Sequence, residues 1–397
     1  MSFELSNAQK SHGPFAGLFV LDLTRVLAGP YAAMMMGELG ARVIKIEPPV
    51  KGDDARHIGP FLTAKSGKVK SGYYMAFNRG KESIALDLKA TNDKKIFEAL
   101  LSRADVLIEN YRGGTMEKLG YGYETLKEKY PRLIYAAVSG FGHTGPYSHR
   151  PAYDMVVQAM GGVMSVTGHP GGPPTRVGTS IGDVAAGMFG TLGIVTALYD
   201  RERTGKGQKV DVAMLDSQVA ILENAVTRYV ATGDVPGKLG SRHSSIAPFA
   251  AFATKDGHIV IAAGNDDIWA RACRVMGRED LIKDARFLTN PLRVQHVDAM
   301  AAEMEKALAA RSSKEWLAAL EAESVPCGPI NTIAQVMEDP QVLSRNMIIE
   351  TLDPDLGPIK MQGNPVKLSA HHDPKTRNAA PDLDADRAAI LKEFGIS

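Results

Sequence analysis

Six short apolar runs, interleaved with stretches of helical composition, constrain the fold of this chain more than any other feature. The runs are LFVLDL (18–23), RVIKIEP (42–48), SIALDL (83–88), DVLIEN (105–110), LIYAAVSGF (133–141) and VDVAML (210–215). Between them lie AGPYAAMMMGELGA, TNDKKIFEALLSRA and YETLKEKYP, with Pro30 placed for a first helical turn. Strands without polar alternation are covered on both faces, and in a parallel sheet helices cover them. The pattern predicts an α/β fold with a nucleotide-binding-like, doubly wound parallel sheet.

Helical patterns follow in YDMVVQAMGG and in a long segment from about Gly182 to Arg203, with the turn-rich TGHPGGPPTRVGTS between them. DSQVAILENAVTRYVATG reads as one long helix leading out of the sheet domain. The pattern changes near position 235, where a hairpin (AFATKDGHIVIAAG) and three helices indicate a smaller α+β domain. The expected organisation is a large α/β domain from residues 1–215 and 331–397, built from both chain ends. A helical linker spans 216–235, and 236–330 holds the small domain and its return linker.

The formal net charge is +1, which provides no bulk field for nucleic acid or an anionic membrane. Cys273 and Cys327 lack metal-ligand or redox spacing and are expected as packed apolar residues in a reducing cytoplasm. The opening MSFELSNAQKSHGP lacks a basic and then apolar leader pattern. The stretch VAAGMFGTLGIVTALY is interrupted by glycine and is expected as a buried core helix rather than a membrane span.

The first strand–helix turn reads TRVLAGP rather than G-x-G-x-x-G, which argues against a dinucleotide; Glu47 resembles a ribose-binding acid in position alone. Walker A, H-E-x-x-H and G-x-S-x-G patterns are missing, and His371-His372 reads as a solvated pair rather than a metal site. Asp183 opens the long helix. Spacing alone favours a helix cap; the same geometry suits a carboxylate that stays ionised and works beside amides able to bind an oxyanion. Asp154 reads as a plain cap, and Tyr153 as either a buried phenol or a ligand contact. Arg25, Arg79, Lys81, Lys89, Arg112, Lys118 and Arg150 lie near strand ends, where open α/β sheets bind ligands.

Several longer segments occur together and in order: LDLTRVLAGPYAAMMMGELGARVIKIEPP, NRGKESIALDLK, ADVLIENYRGGTMEKLG, PAYDMVVQAMGGVMSVTG, GTSIGDVAAGMFGTLGIVTALYDRERTGKGQKVDVAMLD and VPCGPI. In these the chain resembles the class III coenzyme A transferases, the family of formyl-CoA transferase and carnitine CoA-transferase, related to the α-methylacyl-CoA racemases. The resemblance implies an interlocked homodimer and coenzyme A as substrate, with no prosthetic group or metal. It places the catalytic aspartate on Asp183. It places coenzyme A contacts on Arg25, Val26, Leu27 and Ala28, on Leu86, Asp87, Leu88 and Lys89, on Asn110, Tyr111 and Arg112, and on Lys118 and Tyr153. Arg112 and Lys118 are the expected phosphate partners.

The implied reaction moves coenzyme A from an acyl-CoA donor to a carboxylic acid through an aspartyl anhydride and an aspartyl-CoA thioester. The alternatives are an α-methylacyl-CoA racemase, a coenzyme A-binding protein without turnover, and an NAD-dependent dehydrogenase. Leu27 stands where formyl-CoA transferase has glutamine, and GSRHSSIAPF and AAGNDDIW replace a glycine-rich loop, which argues against formyl or oxalate specificity. Tyr153 stands where the racemases have histidine. A tyrosine, with an ordinary pKa of about 10, is a poor base for an α-proton. Arg56, Arg176 and Arg242 are candidates for pairing a second carboxylate on the acyl group, with succinyl-CoA as a candidate donor.

Overall fold

The computed structural model describes residues 13–396. All six apolar runs form strands: β1 (Phe19–Asp22), β2 (Arg42–Glu47), β3 (Glu82–Ala85), β4 (Val106–Glu109), β5 (Ile134–Ser139) and β6 (Lys209–Ala213). They make one parallel sheet in the order 3-2-1-4-5-6. Alternate residues enter different cores. Val20, Val43, Val106, Ile108 and Ile134 pack against helix α1 (Ala28–Glu38) and the long helix Ile181–Thr204. Leu21, Ile44, Ile46, Leu107 and Tyr135 pack on the opposite side against helices Thr91–Leu101, Tyr123–Lys129 and the C-terminal Arg387–Phe394. The sheet is thus doubly wound, and the C-terminal helix completes the layer on one side.

The chain folds into two compact units. One comprises the chain up to Val163, Arg176–Ala231 and the chain from Pro340 onward; the other comprises Met164–Thr175 and Thr232–Asp339. The second unit has a three-stranded antiparallel sheet of Phe249–Ala253, His258–Ala262 and Cys327–Pro329. Its core is built on Trp269, Phe287 and Trp316. Cys273 is buried in that core and Cys327 packs at its edge; both are free thiols.

Two elements depart from expectation. The single helix predicted over 216–233 is broken into Met214–Ala220 and Ala225–Thr232, with Glu223 between them at φ +55°, a left-handed conformation that ends a helix. Residues 51–81, for which the sequence pattern specifies no element, contain helix α2 (Gly72–Asn78), capped by the Ser71 hydroxyl, and the hairpin Phe61–Thr63/Val69–Ser71.

Two more helices frame the site: α3 (Asp154–Met160) and α4 (Ile181–Thr204). Helix α4 is long and apolar enough by composition to cross a membrane, yet one face is buried on α1 and the sheet. Glycine makes that contact close. A Cβ on Gly187 would stand 2.8 Å from the Ala28 carbonyl oxygen and 3.0 Å from Tyr31 Cβ.

Candidate active site

The strand order reverses between β1 and β4. The chain after β1 enters α1 on one side of the sheet; the chain after β4 passes to helices on the other. A crevice therefore opens at the carboxyl ends of these strands, the usual ligand position in such sheets. Arg25–Ala28 leave β1 and Asn110–Arg112 leave β4, so these two groups of expected contacts meet. Asn110 joins them: its Oδ1 accepts the Arg25 N–H at 2.8 Å and its Nδ2 donates to the Arg25 carbonyl at 2.7 Å. The Arg25 guanidinium lies 5.3 Å from the centre of the Tyr111 ring. Arg112 is exposed, as is Lys118 on the short helix Thr115–Leu119.

Leu86–Lys89 are placed differently. They leave β3, the edge strand two positions from β1 and so about 10 Å from it. Leu86 is buried in the core and its N–H donates to the Glu47 carbonyl; Leu88 packs beside that core, while Asp87 and Lys89 are exposed. Leu27 and Ala28 are buried, Val26 is partly buried, and Tyr153 is 71% exposed.

Asp183 is the third residue of α4 rather than its cap, a position held by Ser180. Its carboxylate is partly buried, and the N–H of Ala28, the first residue of α1, lies near enough to favour its charged form. The nucleophile candidate thus lies in the first turns of two helices at once. Their dipoles favour an anion, but other forces oppose it. Burial pushes the Asp183 carboxyl up, the nearby Asp154 charge adds to this, and the Ala28 N–H only partly offsets them, leaving it at about 7. The expectation that it stays ionised at neutral pH is corrected accordingly.

Asp154 does not cap its own helix through its side chain, whose N-cap position is Tyr153. Its Oδ1 instead accepts the Gly182 N–H at 2.8 Å, satisfying an amide in the first turn of α4. Its Oδ2 accepts from Gln158 Nε2 at 2.7 Å, and Gln158 Oε1 accepts the Val177 N–H at 2.9 Å. The approach to Asp183 is therefore pinned from α3. Sequence reasoning missed Tyr73 on α2. Burial first, and the Asp183 charge next, push its phenol up to about 12, which places it in the field of the same carboxylate.

Most of the scattered charges prove structural. Lys81 is buried, donating to Asp22 at 2.8 Å and to Asn78 at 2.8 Å, and Arg79 is buried against Glu38. Neither is available to a phosphate. Glu47 is taken by Arg56, by the Ser83 hydroxyl and by the Asp53 N–H, so it is no ribose acid and Arg56 is no ligand arm. Arg242 pairs with Asp298 in the second unit. Arg150 lies against the Phe141 and Tyr147 rings. Among the described residues no ion pair engages Lys89, Arg112 or Lys118. A cavity of about 640 Å³ opens at the opposite, amino ends of the strands, beside Phe19, Arg42, Glu82 and Asp105. Neither Asp183 nor any of the expected coenzyme A contacts lines it. His371 and His372 lie in that cavity, and among the described residues no cluster of three or more His, Cys, Asp or Glu is arranged for a metal.

The raised Asp183 pKa has a stability consequence. Between about pH 4 and 7 the folded chain holds a proton that the unfolded chain has released, so wild-type stability falls as pH rises through that range. Asp183→Asn removes the ionisation. Its unfolding free energy should exceed that of wild type at pH 8 by on the order of 1–3 kcal/mol, since partial exposure screens the charge, and the gain should vanish near pH 4. Thermal melts across pH would show this; a pH-independent difference would contradict it.

Comparison with known proteins identifies the family. The family model described as CoA-transferase family III matches residues 15–387. The acetyl-CoA:oxalate CoA-transferase of Acetobacter aceti is 47% identical over 386 residues, covering 97% of each chain. The succinyl-CoA:glutarate CoA-transferase of Mus musculus is 40% identical, covering 96% of this chain and 86% of that relative. A crystal structure of a CAIB/BAIF family protein from Brucella suis superposes with a TM-score of 0.84 at 39% identity, covering 96% of this chain and all of that one. The chain belongs to CoA-transferase family III and is an enzyme of that class.

Proposed function

We propose that this enzyme moves coenzyme A from an acyl-CoA donor to a carboxylic acid, with Asp183 as nucleophile. The observation that carries this is the Asp183 carboxylate, partly exposed, on the helix packed against the first turn of α1 at the strand-order reversal, with the Ala28 amide favouring its charge. A carboxylate is both a nucleophile and a leaving group, which the reaction needs at alternate steps. Ionised Asp183 attacks the donor thioester carbonyl, and the C–S bond breaks to release the coenzyme A thiolate and leave an aspartyl–acyl anhydride. The thiolate attacks the aspartyl carbonyl, forming an aspartyl-CoA thioester and releasing the donor acid. The acceptor carboxylate then attacks that thioester, giving a second anhydride and free thiolate. The thiolate finally attacks the acceptor acyl carbon and regenerates Asp183. Water must be kept from both anhydrides.

Asp183→Ala and Asp183→Asn should lose transfer by about 10³-fold or more while still binding coenzyme A. Mass spectrometry of wild type incubated with acyl-CoA should find coenzyme A covalently attached to the Asp183 peptide. Full transfer by either variant would refute the nucleophile.

The acceptor proposed is a small dicarboxylate. Of the three candidate arginines, Arg176 remains beside the nucleophile: its Nη2 lies 3.9 Å from the Asp154 carboxylate, and its side chain is 41% exposed. Both relatives named above act on dicarboxylates by their names. One names oxalate, so the departures at Leu27 and in the small domain do not set oxalate aside. Arg176→Met should raise KM for dicarboxylate acceptors about tenfold or more, with little change for monocarboxylates. An equal effect on both would remove Arg176 from this role. No observation favours racemase chemistry, and exposed Tyr153 stands in place of its histidine.

The proposed assembly is a homodimer. The face of α4 turned away from α1 exposes Met188, Phe189, Leu192 and Tyr199, and Val226, Tyr229 and Val230 are exposed on Ala225–Thr232. Such a concentration of apolar side chains fits a permanent subunit contact. Sedimentation should give twice the chain mass of 42.7 kDa at micromolar concentration. A monomer would contradict it.

A further inference from the structure

Val26 has φ +66°. A β-branched side chain is a true outlier in the left-handed region, and such a conformation persists only where the surroundings over-determine it. Here they do. Lys45 Nζ donates to the Thr24 carbonyl at 2.7 Å. Asn110 takes both the N–H and the carbonyl of Arg25. Asp53 Oδ1 accepts the Val26 N–H at 2.9 Å and, through the Ala55 N–H at 2.9 Å, is itself fixed. Asp53 Oδ2 lies 2.9 Å from Lys45 Nζ, and both side chains are wholly buried. Four successive backbone groups, from the Thr24 carbonyl to the Val26 amide, are therefore each gripped by a side chain. Two residues later, the Ala28 N–H meets the Asp183 carboxylate.

We infer that Lys45 and Asp53 are positioning residues: they hold Val26 in its left-handed conformation and so aim the Ala28 amide at Asp183. Neither lies where substrate reaches; both act through the Thr24–Ala28 backbone. Without the clamp Val26 relaxes to negative φ, the peptide planes that follow rotate, and the first turn of α1 no longer faces the carboxylate. A misplacement of about 1 Å at such a site is enough to cost about 100-fold in rate.

The inference rests on Asp183 as nucleophile, so the test has one arm that needs no activity. Asp53→Asn keeps the side chain's size and removes the charge that Lys45 pairs. Hydrogen–deuterium exchange in the peptide spanning residues 24–30 should rise about tenfold in this variant. Its kcat should fall by about 100-fold, and KM for acyl-CoA should rise as well, because the same loop carries the expected coenzyme A contacts. Val26→Gly added to Asp53→Asn should recover at least about tenfold in kcat, because glycine takes positive φ freely and needs no clamp. Unchanged exchange and kcat in Asp53→Asn, or no recovery in the double variant, would overturn the assignment. Should Asp53→Asn not fold, Val26→Gly in the otherwise unaltered chain decides. Val26→Gly should melt above Val26→Ala, because both lose the valine side chain and glycine alone takes positive φ without strain; an equal or lower midpoint overturns the clamp. Loss of the nucleophile reading would appear separately, as transfer by Asp183→Asn.

Discussion

Lys45 and Asp53 meet at 2.9 Å with both side chains closed off from solvent. Removing two such charges from water costs several kcal/mol each, and well-packed apolar residues of the same volume often serve stability as well or better. What apolar residues cannot do is donate to one carbonyl and accept from one amide on the same short loop. The sheet makes the pairing possible. The β1–β2 register sets Asp22 beside Lys45, and Lys81 reaches Asp22 from the start of β3. Burial alone would raise the Asp22 carboxyl, but Lys45 and Lys81 bring it down to about 2. Its contribution is thus full above about pH 4 and lost as pH falls toward 2, so Asp22 stays ionised at neutrality, while burial brings the Lys81 ammonium down to about 8. Removing one member of such a buried set typically costs about 3–5 kcal/mol, because its partner is left charged and alone.

Above that fixed base, Asp183 behaves in the opposite way. It sits near Asp154 with no cation at hydrogen-bond distance among its described partners, and its pKa rises to about 7. Asp154 cannot be spared, because it holds the Gly182 amide that opens α4. The two carboxylates repel while both are ionised. On the proposed route, acylation makes Asp183 neutral, and the repulsion disappears as the anhydride forms. The same charge arrangement that weakens the folded state at high pH thus favours the covalent intermediate over the free nucleophile.

The sheet and its helices were legible because their signal is local: apolar runs of five or six residues mark strands covered on both sides. The site was legible only in part. Local spacing made Asp183 a cap, and family resemblance singled it out. Asp154 also looked like a cap, and it is one, but for a helix beginning 27 residues later, which no local pattern can announce. Arg79 and Lys81 looked like surface cations near strand ends. Their partners, Glu38 and Asp22, lie 41 and 59 residues away, so their burial is a tertiary fact. Tyr73 and Asp53 fall in a segment without periodic pattern, and their roles exist only once α2 and the turn after β2 are packed. Glu223 shows the converse: a helix-forming composition across 216–233 yields to one left-handed residue.

Gly187 gives the site a property that side-chain packing would not. Where α4 crosses α1, hydrogen atoms stand in for a side chain, and the Ala28 carbonyl lies against the α4 backbone. The separation between the proposed nucleophile's helix and the loop proposed to carry coenzyme A is therefore set by α4 backbone meeting the Ala28 carbonyl and the root of the Tyr31 side chain. Intolerance of any side chain at this one position follows, with the glycine acting as the gauge block of the proposed active site.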